Sequence, residues 1–129
     1  MGNGNAILDK SFQFSLSIIE YCELLEEQKK FVIAHQLLKS GTSIGANVHE
    51  AQSSESKLDF IHKLKVADKE AIETEYWLKL CNSAENYPKD KKLFVQLVEI
   101  RKLLNSIISK AKQKLEEEQQ KNKAKIIKA

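Results

Sequence analysis

The chain has 129 residues, 42% hydrophobic and 30% charged, with a net charge of +3. That is room for one domain around one core, and four glycines with a single proline exclude the turn-rich β folds. No apolar run is long enough to span a bilayer. The start, Met1–Ala6, has neither the basic-then-apolar pattern of a secretory leader nor the residue that myristoylation needs, so the cytoplasm is the expected compartment.

The first helix is expected over Ile7–Gln28, with Leu8, Phe12, Leu16, Ile19 and Cys22 as its inward stripe. The second runs over Lys30–Gln52 on Leu37, Gly41, Ile44, Val48 and Ala51. Glycine in a helix interior costs about 1 kcal/mol relative to alanine, so Gly41 and Gly45 predict close approach of a neighbouring helix. Ser53–Ser56 is a polar turn, with Ser56 placed to cap a third helix over Lys57–Ala84. Phe60, Leu64, Ala67, Ala71, Thr74, Leu78 and Cys81 are its stripe. Glu85–Pro88 interrupts the pattern, because proline cannot continue a helix interior.

The fourth helix starts near Pro88–Asp90 on Leu93, Leu97, Ile100, Leu104, Ile107 and Ala111, and is expected to fray after Glu118. The fold class is therefore all-α, an antiparallel up-down four-helix bundle over 1–118. Residues 119–129 form a lysine-rich tail, flexible or an extension of helix 4. Cys22 and Cys81 read as buried free thiols, with a disulfide as the alternative. The first 111 residues balance in charge, and Lys112, Lys114, Lys121, Lys123, Lys125 and Lys128 against three glutamates supply the whole +3.

Three helices carry a second stripe. It is Ser40, Ser43, Asn47 and Glu50 on helix 2, then Val66, Glu70, Glu73 and Trp77 on helix 3. On helix 4 it is Phe94, Val98, Arg101, Asn105 and Ile108. These residues form the rim of the monomer's own core, a self-association surface, or a binding site for another molecule. Carboxylates half-buried there need partners, and Lys39, Lys63 and Arg101 are the candidates. No catalytic or metal site is expected. Asp59–His62 is a single imperfect copy of the Glu-x-x-His pattern that di-iron bundles use twice. His49-Glu50 does not complete His-Glu-x-x-His, and His35 has no ligand partner. Lys39–Gly45 lacks the order of a phosphate loop and sits mid-helix. No cofactor or small-molecule substrate follows.

Residues 39–51, Lys-Ser-Gly-Thr-Ser-Ile-Gly-Ala-Asn-Val-His-Glu-Ala, and 60–78, with Phe60, Leu64, Ala67, Glu70, Glu73, Tyr76, Trp77 and Leu78, go beyond generic patterning. They resemble the bacterial four-helix bundle family first described as reading frames in intervening sequences of 23S ribosomal RNA genes. The hallmark Ser-Ile-x-x-Asn-x-x-Glu is matched by Ser43, Ile44, Asn47 and Glu50. Lys39 stands for a usual arginine and Ala51 for a frequent glycine. The resemblance implies a ring, typically a homopentamer, in which the chain's main partner is itself. Ser43, Asn47, Glu50, Glu70, Glu73, Trp77 and Arg101 would then lie at subunit contacts. It also implies a link to RNA or a ribonucleoprotein, since the accessory proteins of diversity-generating retroelements are similar to this family. The expected function is a non-enzymatic, self-assembling scaffold or accessory factor. The alternative is weak, charge-driven RNA or DNA binding through the lysines of several tails.

Overall fold

The computed structural model describes residues 3–128. Met1, Gly2 and Ala129 lie outside them, and with them part of what was expected of the Met1–Ala6 start and the last residue of the tail. The helices are α1 (Asn3–Glu27), α2 (Phe31–Ala51), α3 (Lys57–Ser83) and α4 (Lys91–Lys128). Each packs against its neighbours in the chain, and α4 closes the square against α1, so α1 and α3 form one diagonal and α2 and α4 the other. Among the described residues there is no strand. This is the expected antiparallel four-helix bundle.

Local chemistry sets the boundaries. α1 ends in a Schellman turn, with Lys29 at φ 62° and the Lys30 N–H donating to the Leu25 carbonyl at 2.8 Å. Ser56 caps α3 as its spacing predicts, its hydroxyl accepting from the Asp59 N–H at 3.0 Å. Asp90 does the same for α4 through the Leu93 N–H at 3.0 Å. The α3–α4 link is tied down by the Tyr21 hydroxyl, which donates to the Pro88 carbonyl at 2.6 Å. The Asp90 N–H also donates to Asn82 Oδ1 at 2.9 Å.

The expected stripes of α2 and α3 are buried, except that Phe60 is half-buried beside a buried Ile61. On α4, Ile108 is buried where Ile107 was expected, a drift of one residue near the end of the packed segment. The main correction is on α1. Its inward face is Ile7, Ser11, Phe14, Ile18, Tyr21, Cys22 and Leu25, whereas Phe12 is 62% exposed, Leu16 42% and Ile19 39%. The helix carries two apolar stripes about a third of a turn apart, and α2 chooses between them. Its small residues need Ile18 and the Ser11–Ser15 edge. A Cβ at Gly41 would stand 2.9 Å from two Ile18 carbons, and one at Gly45 3.2 Å from the Ser11 carbonyl oxygen. The close neighbour predicted from the two glycines is therefore α1.

α4 continues without a break past Glu118 to Lys128. Leu115 is the last side chain packed against the core. Glu118 pairs with Lys57 at the start of α3, so the helix leaves the bundle at that level.

Candidate functional site

The surface that carries chemistry is the set of flanks between helices. On the α2–α3 flank the Thr74 hydroxyl lies 3.0 Å from Ser40 Oγ and 2.8 Å from the Glu70 carbonyl oxygen. Both hydroxyls are buried, so they satisfy each other across the helix pair. The Ser43 hydroxyl donates to the Lys39 carbonyl at 2.6 Å and the Asn47 amide to the Ser43 carbonyl at 2.9 Å. Both motif side chains thus turn back onto their own helix. Glu50 lies 4.0 Å from Lys63, one of the expected partners. Trp77 packs half-buried against the core and meets Tyr76 edge-to-face at 5.3 Å. Its indole N–H is covered, with no acceptor among the described residues.

Arg101 is not on that flank. It reaches from α4 to the opposite side of α3, where Nε and Nη2 bind Asp68 at 3.0 and 3.3 Å and Nη1 binds Glu75 at 3.4 Å. Arg101 was one of three candidate partners for the flank carboxylates Glu50, Glu70 and Glu73; it binds Asp68 and Glu75 instead, because α4 packs against the other edge of α3. Hydrogen bonding to Asp68, helped by both carboxylates, raises its pKa further, so the guanidinium stays charged. The pair is bidentate, and Asn105 adds a donor to Asp68 at 3.3 Å. Asp68 and Glu75 were missed in the sequence, although their spacing of seven on one face of α3 was a usable signal.

Lys112, Lys114, Lys121, Lys123, Lys125 and Lys128 are all exposed on α4. At 100° per residue, Lys114, Lys121, Lys125 and Lys128 share a face and Lys112 and Lys123 point elsewhere. Lys112 lies beside Lys65 and lowers its pKa, first through a side-chain hydrogen bond and then through like-charge repulsion. His35, His49 and His62 are exposed. Among the described residues no three metal-ligating side chains come together, and no helix is long and apolar enough to cross a membrane.

Cys22 and Cys81 are buried free thiols. Burial, with Glu26 adding to it, pushes the Cys22 thiol up to about 12, and burial raises Cys81 as well. Burial and the neighbouring Cys81 raise the Tyr21 hydroxyl. All three hold their protons longer folded than unfolded; the contribution of Cys22 to stability is complete below the ordinary thiol value of 9.0 and is lost as the pH rises toward about 12. The urea midpoint should therefore be flat in pH up to about 9 and fall above it. A midpoint unchanged to pH 12 would show that Cys22 is not held as the buried thiol.

The apolar residues that the sequence placed in the core, Phe12, Leu16 and Ile19, instead form an open patch on α1. Ile72 (51% exposed), Tyr76 (57%) and Val98 (37%) form another on α3 and α4.

Residues 4–106 match the family model described as 23S rRNA-intervening sequence protein. None of the curated proteins matches the chain. Among solved structures, the chain is similar to a protein with unknown function from the S23 ribosomal protein family of Bacteroides thetaiotaomicron VPI-5482. The two share 46% identity, with 84% of this chain and 99% of that chain covered and a TM-score of 0.78.

Proposed function

The chain belongs to the 23S rRNA-intervening sequence protein family, and from that premise we propose that it is a non-enzymatic bundle that assembles with copies of itself into a ring, a homopentamer, and serves as a scaffold or accessory factor for a protein or ribonucleoprotein. The observation that carries this reading is the apolar patch of Phe12, Leu16 and Ile19. A regular apolar stripe left open on a helix whose other stripe is full is the signature of a contact surface. On this reading the α2–α3 flank, whose motif residues the resemblance placed at subunit contacts, faces the partner instead. Among the described residues, Glu70 and Glu73 have no ion pair within the chain, so the flank suits a basic partner. The setting is the cytoplasm, in keeping with two free thiols.

Size-exclusion chromatography with light scattering should give a salt-stable mass near five times 14.7 kDa. A 14.7 kDa particle at all concentrations would sink the reading.

One observation favours a second reading, charge-driven binding of RNA or DNA. α4 carries its exposed lysines beyond the bundle, and several such helices on a ring would add their charge. Truncation after Glu118 removes Lys121, Lys123, Lys125 and Lys128 while keeping Leu115 and the Lys57 pair. Excess absorbance at 260 nm that co-elutes with the full chain, disappears at high salt and is absent from the truncated chain would place this reading first.

A further inference from the structure

We infer that one copy's α1–α2 flank docks on the next copy's α3–α4 flank, head to tail. The inference rests on the self-assembly reading and names its two joining surfaces. They lie on opposite sides of the square, since α1 and α2 are adjacent, as are α3 and α4. Each presents exposed apolar side chains, Leu16 and Ile19 on the first and Ile72, Tyr76 and Val98 on the second.

Their charges are opposite. At 100° per residue, the α2-facing side of α1 carries exposed Glu23 and Glu26, neither α1 nor α2 puts a lysine or arginine on that flank, and the turn between them adds the exposed Lys29 at its end. The α3–α4 flank carries exposed Lys65, Lys69, Lys79, Lys91 and Lys102. Its Asp68 and Glu75 are already engaged with Arg101. An acidic-apolar face and a basic-apolar face repel their own kind and attract each other, which disfavours an isologous dimer and favours a heterologous chain of contacts.

Their heights along the bundle also agree. The contact of Ile18 with Gly41 and the Ser40–Thr74 hydrogen bond put Ile18 and Thr74 at one level. Ile19 therefore stands level with Ile72 to Tyr76. Arg101 beside Asp68 and Glu75 brings Val98 to the same height. Glu23 and Glu26 lie toward the end where Tyr21 meets Pro88, and Lys79 and Lys91 flank the link that contains Pro88. Apolar meets apolar and acid meets base with no shift along the bundle axis. A heterologous contact closes into a ring when it carries no translation along the ring axis and turns each copy by a whole fraction of a full circle, and otherwise grows a filament; the matched heights meet the first of these conditions.

Two exposed substitutions test the pairing. Ile19→Lys opposes the basic face, and Tyr76→Glu opposes the acidic one. Each variant alone should elute as a monomer with the helical circular dichroism of the parent. Mixed, they should form a 1:1 heterodimer, because each retains the face that the other has lost. Leu16→Lys and Val98→Glu are a second pair should either first variant lose helicity. If the parent assembles and both variants keep its mass, the two faces are not the joint, while self-assembly stands. If both are monomeric and the mixture stays monomeric, head-to-tail pairing is overturned. A monomeric parent overturns self-assembly itself.

Discussion

Phe14→Ala should cost about 3–5 kcal/mol of stability, the range for truncating a fully buried aromatic. Phe12→Ala, two residues away, should cost no more than about 0.5 kcal/mol, as for an ordinary surface change. Phe14 is 1% exposed and belongs to the central cluster, while Phe12 is 62% exposed. Both should be measured by urea unfolding on the Tyr76→Glu background, so that assembly does not add to the stability of either. Equal costs, or the larger cost at Phe12, would mean that α1 is rotated from the orientation described above.

Gly41→Ala should destabilise the bundle by about 1–2 kcal/mol, although alanine is the better helix former by about 1 kcal/mol. The new methyl would stand 2.9 Å from Cγ1 and Cγ2 of Ile18. Those carbons cannot swing away, because the side chain is β-branched and fully enclosed, so the overpacking cost falls in the upper part of its range of about 1–3 kcal/mol and about 1–2 kcal/mol remains after the helix gain. The double-mutant cycle gives the sharper test. Ile18→Ala alone leaves a cavity worth about 2–5 kcal/mol. Combined with Gly41→Ala it should cost less than the sum by about 1 kcal/mol or more, since the methyl then enters vacated space. Strict additivity would show that the two residues are not in contact. Gly45 offers no such rescue, because beside the Ser15 hydroxyl it faces the Ser11 carbonyl oxygen at the same distance, which no side-chain deletion removes.

These two positions show what the sequence could and could not reveal. Gly41 and Gly45 announced a close helix because their cost in isolation demanded a return, but the cost does not say which helix returns it. The stripes of α2 and α3 were legible because each helix has one apolar face with small residues spaced along it. α1 has two, and periodicity alone cannot rank them. The choice depends on the shape of α2, which is information from another part of the chain. Arg101 was misplaced for a related reason. Its register on α4 was legible, but whether it meets Glu70 or Asp68 depends on which edge of α3 the helix packs against, a question of handedness that no linear pattern encodes. The motif residues Ser43 and Asn47 were legible as a motif, yet their hydrogen bonds run to their own helix. What the motif presents outward is consequently the carboxylates of Glu50, Glu70 and Glu73.

The run of α4 past Glu118 has a consequence for how its charge behaves. Starting a helix is the unfavourable step and extending one is nearly neutral, so these residues inherit their order from the folded bundle. A free peptide of the same sequence would have no such start and should be largely coil. The lysines are carried on a short rod, about 1.5 Å per residue, at fixed angles to the bundle, where a disordered brush would average them over all directions. Amide protons along the rod should exchange faster with each step from Leu115, since fraying needs no opening of the core. A surface that bound the rod would announce itself by flattening that gradient.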